Sequence, residues 1–211
     1  MSLDEIFKVP DEERDLDWEA RFFTAFTEAN VRVISPDPQI GPDGWPYLLV
    51  ETGEGASEPV QKILHWLSER GIGLVVNPRR AYPDFVFTYG MIWNFRETGR
   101  FYGLASEAPQ HSVSFEPGEK ILAGAPSEVY LPSRPRSILR EFFRDQGLLQ
   151  VKILVISRDG KRFDLAFSSE SLGSPPEKER QGILEAISWF LPPHYSLMII
   201  SERGLPPFHT L

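Results

Sequence analysis

Residues 61–85, QKILHWLSERGIGLVVNPRRAYPDF, decide the predicted fold because they recur in altered form at residues 184–208, LEAISWFLPPHYSLMIISERGLPPF. The two stretches align without a gap and share five identical positions. These are Trp66/Trp189, Leu74/Leu197, Arg80/Arg203, Pro83/Pro206 and Phe85/Phe208. Upstream, Val33-Ile34-Ser35 aligns with Val155-Ile156-Ser157. This self-similarity predicts that one structural unit occurs twice in the chain.

The spacing of apolar residues predicts the same order of elements in each half. A three- to four-residue period predicts helices, and short alternating or continuous apolar runs predict strands. Helices are expected at 15–29, 58–70, 135–146 and 174–191. Strands are expected at 31–35, 47–51, 72–76, 112–115, 120–122, 151–157, 162–168 and 195–200. Each half then reads helix–strand–strand–helix–strand. This order predicts an α+β fold with a mostly antiparallel sheet and helices packed on one face.

An apolar hairpin is expected between the two halves. Large apolar residues alternate with other residues from Phe85 to Phe95, which predicts a long strand over 84–95. A turn at 97–99 would lead to a second strand at 101–104. The predicted domains are residues 1–104, with an acidic N-terminal arm, and residues 112–211, joined by a linker at 105–111.

Composition limits the classes of protein that this chain can represent. The 211 residues are 41% hydrophobic, contain no cysteine and carry a net charge of −8. Disulfides and cysteine-ligated metals are therefore excluded. Residues 1–20 hold eight acidic and two basic side chains, so most of the negative charge lies in the N-terminal arm. No apolar run is long enough to span a bilayer, and a cytoplasmic protein is expected.

The second half resembles a known family in its non-catalytic motifs. Gly-Ala-Pro-Ser-Glu-Val-Tyr-Leu-Pro at 124–132 leads into the helix at 134–146, then a hairpin, a second helix and a closing Pro-Pro-Phe. Over residues 112–211, and more loosely in the first half, this is similar to the C-terminal domain of the SseB-like (enhanced serine sensitivity) proteins. The resemblance implies a bacterial cytoplasmic protein without an established enzymatic activity. The segments 36–46 and 84–104 have no counterpart in that family.

No catalytic or metal-binding motif is present in the sequence. The four histidines lack the spacing that places two ligands on one helix face, and no nucleophile elbow or phosphate-binding loop occurs. Neither a cofactor nor a metal is predicted. One enzymatic hypothesis remains, a hydrolase or transferase site assembled from His111, Glu51 and Asp164. It requires a deep pocket with a carboxylate of raised pKa.

Two groups of residues are candidates for binding. Arg136, Arg140 and Arg144 recur every four residues and predict a basic helix face, which is either a binding patch or an ordinary solvated surface. The loop from Pro36 to Pro46 is longer than its counterpart in the second half, and elaborated loops often carry binding sites. The predicted binding residues around it are of types that dominate interfaces: Trp45, Arg79, Arg80, Tyr82, Trp93 and Arg96.

The leading hypothesis is a non-enzymatic protein-interaction or regulatory module that binds a protein or peptide. The alternative hypotheses are a secretion- or effector-chaperone-like homodimer, whose apolar hairpin augments a partner's sheet, and the enzyme described above. Nucleic-acid binding is not predicted, because no aromatic residues interleave the arginines.

Overall fold

The computed structural model describes residues 3–79, 82–101 and 121–211. The chain divides into two compact units, residues 1–106 (unit 1) and residues 107–211 (unit 2). The predicted linker at 105–111 lies outside the described residues. Both units are α+β and contain a mixed sheet in which most strand pairs are antiparallel, as the element order predicts.

Unit 1 contains four α-helices and six strands in its described residues. The helices are α1 (Leu3–Ile6), α2 (Leu16–Thr27), α3 (Val60–Ser68) and α4 (Tyr89–Thr98). The strands are β1 (Asn30–Val33), β2 (Gln39–Ile40), β3 (Pro46–Glu51), β4 (Glu58–Pro59), β5 (Gly73–Val76) and β6 (Phe85–Phe87). The strand order is β4-β1-β3-β5-β6, and β2 also pairs with β3. Strands β3 and β5 are parallel and are connected through α3, whereas the other pairs are antiparallel.

Aromatic packing holds the helices on one face of this sheet. Side chains of α2, α3 and α4 form one buried cluster with Leu48 and Val50 of β3 and Leu74 of β5. At its centre, the Phe22 ring of α2 is fully buried, and its centroid lies 5.0 Å from that of Phe85 in β6. Burial of large aromatic side chains dominates core energetics, so these contacts fix α2 against β6.

The N-terminal arm takes part in this core as well as carrying charge. Ile6 and Phe7 are buried, and the Trp18 indole Nε1 donates a hydrogen bond to the Ile6 carbonyl at 2.9 Å. Asp15 caps α2, because its side chain accepts a hydrogen bond from the backbone N–H of Trp18. The acidic residues of the arm therefore flank an anchored segment.

The predicted long strand at 84–95 is wrong. Only Phe85–Phe87 is a strand, and the chain then forms helix α4. Thr88 caps the start of α4 by accepting from the Met91 N–H, and Gly99 ends the helix at φ +70°. The consecutive residues 89–94 are all buried. A helix that is buried on most sides lacks a single apolar stripe, which is why its sequence resembles an alternating strand.

The segment from Pro36 to Pro46 is also not a single loop. Gln39 and Ile40 form β2, which pairs antiparallel with β3, so that residues 41–45 become the turn of a hairpin. The Asp43 side chain accepts a hydrogen bond from the Trp45 N–H at 3.1 Å and another from the Tyr47 hydroxyl at 2.5 Å. These bonds fix the turn at the amino end of β3.

Unit 2 contains two helices and five strands among its described residues. They are β7 (Leu122–Gly124), α5 (Ser133–Asp145), β8 (Lys152–Ser157), β9 (Asp164–Ser168), α6 (Glu177–Ser188), β10 (Ser196–Ile200) and β11 (His209–Thr210). The strand order is β10-β9-β8-β11, with β7 also beside β8. Phe143 of α5 packs on one face, with its ring centroid 6.0 Å from that of Phe167. Leu154, Ala166 and Met198 pack with Phe208 in a separate buried cluster.

The two units share the arrangement of their central strands. In each, a helix precedes two antiparallel strands, and a second helix connects to a third strand parallel to the second. The units differ at the end of the repeat, because Phe85 lies in β6 beside β5, whereas β11, which follows Phe208, pairs with β8. Trp66 is 37% exposed and Trp189 only 6%. Duplication itself stays a prediction.

Candidate functional site

The carboxyl ends of the parallel strands β3 and β5 bring polar residues together in unit 1. Val50 lies opposite Val76, and the Asn77 N–H donates to the Val50 carbonyl at 2.8 Å. The residues that directly follow the two strands, Thr52 and Asn77, are therefore neighbours. This end of a sheet is where α/β folds commonly place ligand sites.

Asn77 links three segments of the chain at this point. Its side-chain Oδ1 accepts from the Thr52 N–H at 2.9 Å, and its Nδ2 donates to Asp84 Oδ2 at 2.7 Å. Asn77 is only 7% exposed and has φ +55°. Asparagine is one of the few residues that tolerate this left-handed conformation.

Asp84, which accepts the hydrogen bond from Asn77, also forms a buried ion pair with Arg14. The Arg14 guanidinium donates to the Asp84 carboxylate at 3.2 Å and to its backbone carbonyl at 3.2 Å. The exposed fractions of the two side chains are 13% and 3%. Arg14 also lies 4.6 Å from the centroid of the Trp18 ring and pairs with Asp11 at 2.9 Å. Hydrogen bonds on both partners offset the cost of desolvating this pair.

Exposed charged and aromatic residues lie beside this buried network. Glu51, at the end of β3, pairs with Arg32 of β1 and with Arg79, whose Nε lies 3.1 Å from Glu51 Oε1. The arginine side chains are 52% and 69% exposed, whereas that of Glu51 is 15% exposed. Tyr82 is 76% exposed. We call Arg32, Glu51, Arg79 and Tyr82 the unit 1 rim.

The rim is suited to binding because its charges do not balance. Two guanidinium groups share one carboxylate, so one positive charge remains for an incoming anion. Arginine binds carboxylates with paired hydrogen bonds, and tyrosine adds amphipathic contact area at low entropic cost. Arg79 and Tyr82 lie two residues from Asn77 and Asp84 respectively, whose buried side-chain hydrogen bond fixes both of these positions.

The structure separates the six residues of the predicted binding site. Arg79 and Tyr82 follow β5, but Trp45 precedes β3, which is parallel to β5. The six residues of β3 span roughly 17 Å, so Trp45 lies at the opposite end of the strand pair. Trp93 is buried in α4, and Arg96 pairs with Glu69 and donates to the Ser68 hydroxyl at 3.0 Å. Arg80 lies outside the described residues.

Arg136, one of the three arginines of the predicted basic helix face, is engaged in local hydrogen bonds. Arg136 donates hydrogen bonds to the carbonyls of Leu131 at 2.6 Å and Pro126 at 2.7 Å, which fasten the preceding loop to α5. Arg140 and Arg144 are exposed, and Arg140 donates to the Ser137 hydroxyl. The basic helix face therefore consists of two exposed arginines, and its role as a binding patch stays a prediction.

The residues of the enzymatic hypothesis do not form a site that the structure describes. Glu51 belongs to unit 1 and is paired with two arginines, Asp164 belongs to unit 2, and His111 lies outside the described residues. Among residues 3–79, 82–101 and 121–211, no three histidine, aspartate or glutamate side chains are grouped for a metal ion. In the same part of the chain, no helix combines the length and apolarity needed to cross a membrane.

Unit 2 has its own polar network at the carboxyl ends of β9 and β10. Glu202 accepts from the Ser168 hydroxyl at 2.6 Å, and its carboxylate oxygens both lie 3.2 Å from Lys152 Nζ. Glu170 accepts from the Ser201 hydroxyl and from the Glu202 N–H, and these bonds hold its pKa below the usual value. These interactions join the strands of unit 2 to each other.

Two further features of unit 2 lack a recognisable signal in the sequence. The Tyr195 hydroxyl donates to the Tyr130 carbonyl, the ring centroids are 4.8 Å apart, and burial raises the pKa of both hydroxyls. An open groove of about 480 Å³ lies between α5 and α6 over Phe142, Leu172 and Ile183.

Only part of the unit 1 site has a local signal in the sequence. Residue type predicts Arg79 and Tyr82 as binding residues, whereas Glu51 is a sequence candidate only for the enzymatic hypothesis. Arg14, Arg32, Asn77 and Asp84 were missed, because strand pairing and the packing of α2 bring them together from distant segments. Comparison of the chain with protein-family models, with curated proteins and with solved structures gives no match, so membership of the SseB-like family stays a prediction.

Proposed function

We propose that this protein is a non-enzymatic interaction module and that the unit 1 rim binds an acidic segment of a partner protein. The observation that carries the proposal is the pairing of Arg32 and Arg79, both exposed, with the single carboxylate of Glu51. A carboxylate of the partner would take up the uncompensated positive charge. The cytoplasmic location and the SseB-like relationship expected from the sequence belong to this proposal.

Three properties of the rim support binding. Its residue types, arginine and tyrosine, are enriched among the few positions that dominate interface energies. The chain as a whole is acidic, with a net charge of −8, so the local positive charge of the rim contrasts with the overall charge and favours one orientation of an acidic partner. The buried bonds of Asn77 and Asp84 fix two positions that lie close in sequence to Arg79 and Tyr82, which reduces the entropy lost on binding.

One premise of the chaperone-like alternative is wrong. It relied on an exposed apolar hairpin at 84–104, and residues 89–98 of that segment are helix α4. No specific observation favours the hydrolase or transferase alternative. The alternative partner is a second copy of this chain, as in a homodimer. Mass spectrometry of a crosslinked product distinguishes a second copy from a different protein.

A photocrosslinking experiment in cells of the native host tests the proposal. We would replace Tyr82 by p-benzoylphenylalanine, and place the same residue at Val129, which is 94% exposed in unit 2, as the control. We expect a partner that crosslinks from position 82 and not from position 129. Mass spectrometry identifies the partner and shows whether it is a second copy of the chain.

Substitutions in the same strain then define the surface. Arg79→Glu should weaken binding of the identified partner by about thirtyfold, the size of a hot-spot effect. Arg79→Lys should weaken it less, because the charge is retained and the paired hydrogen bonds are lost. Trp45→Ala should leave binding unchanged, because Trp45 lies at the other end of β3. Equal binding by Arg79→Glu and the unmodified protein, with equal thermal stability, would refute the proposal.

A further inference from the structure

One strand edge in unit 2 differs from its counterpart in unit 1. In unit 1, β5 has β3 on one side and β6 on the other. In unit 2, the corresponding strand β10 pairs with β9, and no strand in the described part of the chain pairs with its outer edge. The chain that follows β10 instead adds β11 to the opposite side of the sheet, beside β8.

The backbone groups that face this edge can be assigned from one hydrogen bond at the end of β10. In a strand, the N–H and C=O of one residue point to the same side, and the side alternates along the chain. The Ile200 carbonyl accepts from the Ser169 N–H at 2.8 Å, so Ile200 faces β9. Leu197 and Ile199 therefore direct their N–H and C=O groups to the outer edge.

In unit 1, the corresponding edge of β5 pairs with an antiparallel strand, β6. Aligned through the sequence repeat, Leu197 corresponds to Leu74 and Ile199 to Val76. Leu74 lies opposite Phe87 and Val76 opposite Phe85, in an antiparallel pair, and the Val76 carbonyl accepts from the Asp84 N–H at 2.9 Å. The same backbone positions that bond β6 in unit 1 are thus directed outward in unit 2.

Within the described residues, β10 itself lacks the charges, prolines and bulges that usually prevent pairing at an edge. Its sequence, Ser-Leu-Met-Ile-Ile, contains no charge and no proline, and its five residues pair in continuous register with β9. Natural proteins protect edge strands with charges, prolines, bulges or short length. An unprotected apolar edge of this length is a template for strand addition.

We propose that β10 is a docking edge for an extended apolar segment of a partner protein, which adds antiparallel to β10 as β6 adds to β5. The occupant has large apolar side chains at alternate positions, as Phe85 and Phe87 are arranged, and donates backbone hydrogen bonds to Leu197 and Ile199. This surface lies in unit 2 and does not depend on the proposed role of the unit 1 rim.

The probe is a synthetic peptide with the sequence of residues 82–89, which contains β6. Its matched control carries N-methyl groups on the two phenylalanines that pair with β5, which keeps the side chains and removes the donors. With the full-length protein, we expect the first peptide to slow hydrogen exchange at the Leu197 and Ile199 amides. The methylated peptide should bind the protein at least about tenfold more weakly than the unmethylated peptide, because two hydrogen bonds are lost.

Variants of the protein provide a second matched pair. Leu197→Pro removes the outward N–H without removing a bond to β9, whereas Leu197→Ala removes the side chain and keeps the N–H. The proline variant should lose peptide binding, and the alanine variant should retain it, with circular dichroism confirming that both fold. If the proline variant does not fold, the comparison of the two peptides decides.

Three outcomes would overturn the proposal. Leu197 and Ile199 amides that exchange as slowly as Met198 in the free protein would show that the edge is already covered. Protection that increases with protein concentration would identify a second copy as the occupant. Equal binding of the methylated and unmethylated peptides would show that backbone pairing is not involved.

Discussion

The Asn77 amide nitrogen donates a hydrogen bond to the Asp84 carboxylate at 2.7 Å, and both side chains are buried. This bond joins the residue that follows β5 to the residue that precedes β6. Asn77 holds its left-handed conformation and also satisfies the Thr52 N–H. Asn77 therefore has two roles, a left-handed backbone conformation and a set of side-chain hydrogen bonds, and different substitutions separate them.

We expect Asn77→Ala to lower the free energy of unfolding by about 3 kcal/mol, and Asn77→Gly by about 2 kcal/mol. Both variants remove the hydrogen bond that Asn77 donates to Asp84 and leave the Thr52 N–H without its Asn77 acceptor, which costs about 1–3 kcal/mol. Alanine adds about 1 kcal/mol, because its β-carbon disfavours positive φ. Urea unfolding followed by tryptophan fluorescence measures this, since four of the five tryptophans lie in unit 1. A greater loss for glycine than for alanine would contradict the left-handed conformation.

The ion pair of Arg14 and Asp84 predicts a non-additive double mutant. Arg14→Met removes the Arg14 cation from beside a carboxylate of 3% exposure, and we expect a loss of about 3 kcal/mol. The double variant Arg14→Met/Asp84→Asn removes the stranded charge, so it should be less destabilised than the sum of the single variants. The same urea measurement gives the coupling energy. Additive losses would show that the two side chains do not interact.

Most regular elements were predictable because each carries a single apolar pattern. Helices α2, α3 and α5 bury one stripe, as at Phe22, Phe23 and Phe26 of α2, and the strands around the Asp159-Gly160 turn form the expected hairpin of β8 and β9. Helix α4 was not predictable in this way, because Tyr89 and Met91–Asn94 are buried around most of its circumference. Its only local signals were the cap at Thr88 and the glycine at 99.

The site was less predictable than the fold because its contacts are long-range. Arg14 and Asp84 are 70 residues apart in sequence and meet only because α2 packs on β6. Arg32 reaches Glu51 through the pairing of β1 with β3. Residue type alone grouped Trp45 with Arg79, but the parallel direction of β3 and β5 separates them.

The Thr88 cap provides a test of the correction at α4. Thr88→Ala removes the acceptor for the Met91 N–H, and we expect a loss of about 1 kcal/mol in the free energy of unfolding. Thr88→Ser keeps the hydroxyl, so the free energy of unfolding should fall by only a few tenths of that amount. Carbon chemical shifts should be helical over residues 89–98. Extended shifts there, with no effect of Thr88→Ala, would restore the predicted strand.

Two glycines in different environments predict substitutions of opposite sign. A β-carbon on Gly73 would lie 2.6 Å from the Tyr47 ring and 2.8 Å from the Phe87 carbonyl oxygen. Gly73→Ala should therefore cost about 2 kcal/mol through overpacking. A β-carbon on Gly182 in α6 meets no atom within 4 Å, so Gly182→Ala should stabilise unit 2 by about 0.5–1 kcal/mol. Thermal unfolding of each unit, followed by resolved methyl signals, distinguishes the two results. A stabilised Gly73→Ala protein would mean that Tyr47 does not pack over β5.

Burial lowers the pKa of His194, which makes unit 2 sensitive to mild acid. The unfolded chain binds the His194 proton more readily than the folded chain, whose histidine is partly desolvated. Stability from this residue is therefore complete above the unfolded pKa of about 6.5 and is lost as the pH falls towards the lower folded pKa. The urea midpoint of unit 2 should decrease over this interval in the unmodified protein. In His194→Gln the same decrease should be smaller, because glutamine does not take up a proton. The C2-proton signal of His194 should titrate below the unfolded value; a titration above 6.5 would reverse the expected pH dependence.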